Sequence, residues 1–131
     1  MIVVDSSVWI DYFNGDVLPH TEKLANLLGQ REIVVFDLIM VEVLQGMRKK
    51  REFNATLEVL DSFKFISTTS RNVALQSAKN NLILLSKGFT VRKTIDVIIA
   101  TRCILGGFEL LHNDRDFVPC VDHLGLRTIS Y

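Results

Sequence analysis

Five short apolar runs, at residues 2–4, 33–35, 63–66, 108–111 and 128–129, alternate along this 131-residue chain with segments of helical periodicity. A brief continuous apolar run suits a buried strand, and apolar residues recurring three or four apart suit an amphipathic helix. The helical period holds over residues 21–28, 38–47, 53–60, 73–85 and 95–105. Strands separated by helices predict a mainly parallel sheet with helices packed on both faces, a three-layer α/β/α domain of five strands. Pro19 reads as a helix start, and Gly88 and the pair Gly106-Gly107 read as helix stops. No repeat, low-complexity tract or linker interrupts the pattern, so residues 1–131 read as one domain.

With 48% hydrophobic and 23% charged residues, the chain has the composition of a folded globular domain rather than of a disordered one. Its 15 basic and 15 acidic residues cancel. Attraction to a polyanion through net charge is thereby excluded, and local cations or metal ions must hold any nucleic-acid substrate. No apolar stretch approaches the roughly 20 residues of a membrane span. Asp5 breaks the first apolar run well before signal-peptide length. Cys103 and Cys120 lack metal-type spacing and read as reduced thiols, so a cytoplasmic location is expected.

The chemistry lies in the carboxylates. Asp5 follows the run Ile2-Val3-Val4 and so sits at the carboxyl end of a strand, where open parallel sheets bind ligands. Taken alone, it reads first as a cap for a helix beginning near Ser6-Ser7. Asp114 and Asp116 leave the run ending at Leu111 in the same way, although Asn and Asp are also common turn formers. Asp96 opens a helical segment and shares a face with Ile99, Ala100 and Cys103. A carboxylate there should be hidden, and a buried unpaired charge shifts its pKa or finds a partner. Thr94 is placed to cap that helix, leaving Asp96 in its first turn. Glu42 falls opposite the apolar face through Phe36, Ile39, Met40, Val43 and Met47, and by helical angle alone reads as solvated.

Taken together, these acids can converge on one end of the sheet. Two carboxylates about 4 Å apart repel by about 4 kcal/mol at an effective dielectric of about 20, so a cluster of four needs cations. An all-oxygen cluster without His or Cys selects hard ions such as Mg²⁺ or Mn²⁺.

Four segments carry a family resemblance: residues 3–12 (VVDSSVWIDY), 41–46 (VEVLQG), 92–100 (RKTIDVIIA) and 110–117 (LLHNDRDF). Together they resemble the four motifs of PIN domains as found in VapC toxins, over Ile2 to about Phe117. The resemblance implies the strand order 3-2-1-4-5. It also implies an acidic quartet of Asp5, Glu42, Asp96 and Asp114, with Asp116 a frequent fifth member. Asp5, Asp96 and Asp114 would hold Mg²⁺, Asp5 and Asp96 most firmly. The implied activity is endoribonucleolytic hydrolysis of RNA by the toxic half of a toxin-antitoxin pair, with a VapB-like antitoxin and a homodimer as partners. His112 departs from the pattern, since many PIN domains carry Thr or Ser at that place, and no chemistry is assigned to it.

Substrate contacts are expected from Arg92 and Lys93, whereas the basic run at residues 48–51 reads as a solvated helix end favoured by the helix dipole. Arg115 between two aspartates reads as a phosphate contact or a local ion pair. Val8, Trp9, Tyr12 and Phe13 form an apolar stripe that suits the core or a partner groove. A receiver-like phosphoacceptor domain is excluded. Only Ser6-Ser7 follows Asp5, no Asp follows Ile66, and no Lys follows Leu126. A catalytically idle RNA-binding or scaffold module stays as the alternative, distinguished by holding RNA without cutting it.

Overall fold

The computed structural model of the protein describes residues 1–131. The chain runs β1 (Ile2–Val4), α1 (Ser6–Phe13), α2 (Pro19–Leu27), β2 (Ile33–Phe36), α3 (Asp37–Gln45), α4 (Lys50–Asp61) and β3 (Lys64–Ile66). It continues through α5 (Arg71–Ser86), α6 (Thr94–Gly106), β4 (Glu109–Leu111), a 3₁₀ turn (Arg115–Phe117) and α7 (Val118–Leu124). The strands pair in the order β3-β2-β1-β4, all parallel, with Val3 opposite both Val34 and Leu110.

Every residue of β1 and β2 is buried, odd and even alike, so both faces of the sheet are covered. Right-handed crossovers assign α1 to α4 to one face and α5 to α7 to the other. Within each set the helices pack on one another. Trp9 is fully buried and stacks on Phe13 at 5.5 Å, so the aromatic stripe of α1 is largely core. Cys103 and Cys120 are free and buried, and burial pushes both thiols up, Cys120 to about 11. No helix is long and apolar enough to cross a membrane.

Several expectations need correction. The sheet has four strands rather than five, because the run at 128–129 makes only one parallel bridge, Thr128 beside Leu110. Leu110 exchanges bonds with Arg127 O and Ile129 N, which exhausts its two backbone groups in a single rung. The expected position is kept, but the strand is not. Lys93 rather than Thr94 is the N-cap of α6, since the backbone is still extended at Lys93 and already helical at Thr94. The run at 48–51 does not end a helix: α3 stops at Gln45, and Lys50 and Arg51 begin α4. Cations at a helix N-terminus are disfavoured by the dipole, the reverse of the expectation. The short α7, which contains Pro119, was not anticipated.

β1 and β4 are neighbours whose chain connections depart in opposite directions, which opens a crevice at their carboxyl ends. Asp37 closes the far side of the sheet's upper edge. Its carboxylate accepts from Thr68 N at 2.8 Å, Leu38 N at 2.9 Å and the Thr68 hydroxyl. Burial works to raise its pKa, but these bonds outweigh burial and hold it below the usual carboxylate value. Asp37→Ala leaves the fully buried Thr68 without its acceptor. The expected cost is about 1–3 kcal/mol, read as a lower urea midpoint at unchanged slope. A midpoint equal to the parent's would show that the loop after β3 is held by something else.

Candidate metal centre

Asp5 is fixed by both strands that form the crevice. β1 delivers it, and its N–H donates to Leu111 O of β4 at 2.9 Å. It also caps α1, with Oδ2 accepting from Ser7 N at 3.0 Å and the Ser7 hydroxyl at 2.6 Å, while Oδ1 stands outside these bonds. The capping and crevice readings therefore hold at once. Ser7 Oγ accepts from Asn113 N at 3.0 Å, which aims the hydroxyl proton at Asp5. Tyr131 in turn donates its hydroxyl to Asn113 Oδ1 at 3.2 Å.

Asp96 occupies the first turn of α6 and is 6% exposed. Its Oδ2 is buried without a hydrogen-bond partner. The ammonium of Lys93 stands 3.6 Å from that oxygen, too far for a hydrogen bond. Asp114 leaves β4 through an extended residue, and its Oδ1 accepts from Asp116 N at 2.9 Å. Its Oδ2 accepts from Lys93 Nζ at 3.2 Å. Carboxylate oxygens of Asp96, Asp114 and Asp116 all lie within 4.8 Å of one another.

Of the four acids expected from the sequence, Asp96 and Asp114 thus meet, together with Asp116. Asp5 stands beside that group and is coupled electrostatically to both Asp114 and Asp96. Glu42 is half-buried rather than solvated; its Oε1 accepts from the Ser6 hydroxyl at 3.3 Å, and it feels Asp5 and Asp96. Helical angle had placed it off the core face, but that side of α3 faces the acids. Lys93 clamps two carboxylates, a role that its position three residues before Asp96 hints at. Ser7, Asn113 and Tyr131 were missed as supports, and for Tyr131 no sequence signal exists. Arg92 and Arg115 form no ion pair. His112 Nδ1 accepts from Asp114 N at 3.2 Å, and its ring packs 5.0 Å from Phe117.

The electrostatics are uneven. Burial raises Asp96 to about 6, against the opposing pull of Lys93. Burial also raises Asp5, partly offset by Ser7, and raises Glu42 with help from Asp5 and Asp96. Asp114 goes the other way, since the Asp116 N–H and Lys93 outweigh its burial. Its bond to Asp114 raises Lys93. The residues fit a hard divalent cation. The donors are all carboxylate oxygens, three converge, and one buried oxygen lacks any partner.

Comparison with known proteins identifies the family and the fold. The family model described as the PIN domain matches residues 2–118. The chain is 23% identical to a VapC ribonuclease of Mycobacterium bovis and to ribonuclease VapC11 of Mycobacterium tuberculosis, covering 100% of this chain and 99% of each relative. Among solved structures it resembles VapBC2 from Rickettsia felis bound to a promoter DNA fragment, with TM-score 0.77, 18% identity and 98% of both chains covered. FitAcB from Neisseria gonorrhoeae also gives TM-score 0.77, at 14% identity over 99% of this chain and 97% of the other. At these identities the structural likeness speaks to the fold.

A raised Asp96 means that the folded chain keeps a proton there which the unfolded chain releases. The stability so contributed to metal-free protein is full below the ordinary value of 3.8 and lost as pH rises through about 6. Asp96→Asn should therefore stabilise the metal-free protein at pH 7 by about 1–3 kcal/mol and blunt the stabilisation that Mn²⁺ gives the parent. Thermal melts with EDTA and with Mn²⁺ read both effects. A variant that melts with the parent in EDTA would mean that the Asp96 charge is already compensated.

Proposed function

The chain belongs to the PIN domain family, and on that premise we propose that it is a metal-dependent endoribonuclease, the toxic member of a toxin-antitoxin pair. One observation carries the reading: Asp96, Asp114 and Asp116 converge within 4.8 Å beside buried Asp5, in the crevice between β1 and β4. The ribonuclease names of the relatives and the VapBC complexes among the structural neighbours support the substrate class and the partner.

In this reading Asp5, Asp96 and Asp114 hold Mg²⁺, for which Mn²⁺ substitutes, and Asp116 stands beside them. A bound divalent cation supplies Lewis acidity, which lowers the pKa of water and offsets charge on the phosphodiester. The protein's own groups do the positioning. Ser7 holds Asp5 Oδ2, so that Oδ1 is left for the crevice. Glu42 keeps one oxygen outside its bond to Ser6 and orients the attacking water by accepting its hydrogen bond. Lys93 balances part of the acidic charge through Asp114 and Asp96. Attack by water needs no ribose 2′-hydroxyl, so the products carry 5′-phosphate and 3′-hydroxyl ends. A cognate VapB-like antitoxin and self-association as a homodimer complete the proposal.

Purified protein should cleave members of a mixed RNA panel with Mg²⁺ or Mn²⁺ and not with EDTA. Asp5→Ala and Asp96→Ala, checked for folding by circular dichroism, should each lower the rate by about 100-fold or more. Cyclic 2′,3′-phosphate products would contradict water as nucleophile. RNA that is held in Mn²⁺ but never cut, by parent and Asp5→Ala alike, would favour an idle RNA-binding module.

A further inference from the structure

The acids also form one wall of a cavity of about 390 Å³ that the reaction above leaves unused. Asp96 and Asp116 line it, next to a buried apolar floor of Leu84, Val97 and Cys120. Three of its exposed lining residues are cations, Arg92, Lys93 and Arg115. Lys93 is committed to carboxylates, but the two arginines form no ion pair and are free for an anion. The volume lies within the range of about 300–1,000 Å³ usual for ligand pockets.

The rest of the lining is Phe89, 38% exposed beside the charged cluster, with Thr90, Val91 and Pro119. The position of Phe89 is set by the end of α5. Gly88, at φ +88°, donates to Leu85 O at 3.0 Å, and Phe89 N donates to Leu84 O at 2.9 Å. This is a Schellman cap, in which the residue after the glycine normally covers the helix end with an apolar contact. Leu84 and Phe89 both line the cavity, in keeping with that contact. The contact nevertheless leaves much of the ring uncovered, and His123 braces it at 5.3 Å. The result is a partly exposed aromatic ring that shares one cavity with two of the acids and with the cations. Single-stranded nucleic acid is held by this combination of stacked bases and cation-steered phosphates.

We propose that the cavity is a base-binding subsite, in which one nucleobase of single-stranded RNA stacks on Phe89 while Arg92 and Arg115 hold the adjoining phosphates. The inference rests on the ribonuclease reading and gives that site a contact with the substrate's base. Stacking tolerates any base, so the subsite would fix the register of the strand against the acids more than its sequence.

The test separates the subsite from the cleavage chemistry. Phe89→Trp places an indole on the cavity wall, while Trp9 is fully buried in the core and supplies a constant background. In EDTA, where no cutting is expected, short oligoribonucleotides should quench the introduced indole, and the parent protein should show no such change. The same oligomer with one abasic ribose at the critical place should quench several-fold less. Phe89→Ala should weaken oligomer binding, read by anisotropy of a labelled strand, by about tenfold. It should lose little more when that base is removed, because the two deletions abolish one contact. Equal quenching by intact and abasic strands, or unchanged affinity in folded Phe89→Ala, would overturn the subsite even if cleavage proceeds. Base-dependent quenching without cleavage of any RNA would keep the subsite and overturn the ribonuclease reading.

Discussion

Mutual repulsion among the carboxylates at the ends of β1 and β4 is the constraint around which the rest of the molecule is arranged. Two such charges at about 4 Å cost about 4 kcal/mol even at an effective dielectric of about 20. Here three meet within 4.8 Å, with Asp5 and Glu42 beside them, and Lys93 is the one cation paired into the group. The protein lessens the cost without removing it. Asp114 is neutralised in part by Lys93 and the Asp116 N–H, whereas Asp96 keeps an oxygen with no hydrogen-bond partner. A surface built only for stability would satisfy that oxygen or replace it. Trp9 Nε1 and Ser77 Oγ are also buried without a partner, but Asp96 Oδ2 alone of the three belongs to the acidic group, and on the proposed reading it is the one that a cation would satisfy.

Holding repelling groups together needs rigid supports, and each acid has one of a different kind. Asp5 is locked by the β1–β4 pairing and by capping α1, so it cannot withdraw without uncapping that helix. Asp96 is carried by the first turn of α6, where the helix dipole favours its ionised form and opposes the effect of burial. Asp114 and Asp116 are held in a 3₁₀ turn whose first N–H bonds bind one acid to the other's backbone. The Tyr131–Asn113–Ser7 chain then joins the end of the sequence to Asp5. No support depends on a metal, so a cation bound as proposed would meet a geometry already set.

These different supports explain what the sequence discloses. Asp5 and Asp114 were legible because a strand end is marked by where an apolar run stops, and the strand order implied by the resemblance puts the two in one crevice. The helices were legible from their apolar period, whereas the 3-2-1-4 order came only from the family resemblance. Glu42 was not, because helical periodicity separates core from non-core and cannot tell solvent from a crevice. The fifth strand failed because an apolar pair of residues marks a place beside β4 but not the length needed for a ladder. The basic run was misjudged because periodicity could not say which of two helices it belonged to. Phe89 and Tyr131 were invisible, since a single aromatic acquires meaning only when a turn sets it against a distant segment.

Zero net charge follows the same logic. A strongly basic surface would draw any polyanion and screen the acids that must attract a cation. The chain instead separates its charges locally, with an acidic crevice at the strand ends and unpaired arginines where the connection into α6 and the turn after β4 meet. On the proposed reading the two fields would act at different ranges on one substrate, the arginines on phosphates and the carboxylates on a cation. A strand that lies between them satisfies both, and a phosphate pressed on the acids without a cation satisfies neither. On that reading, what the chain attracts is decided by the placement of a few charges and not by their sum.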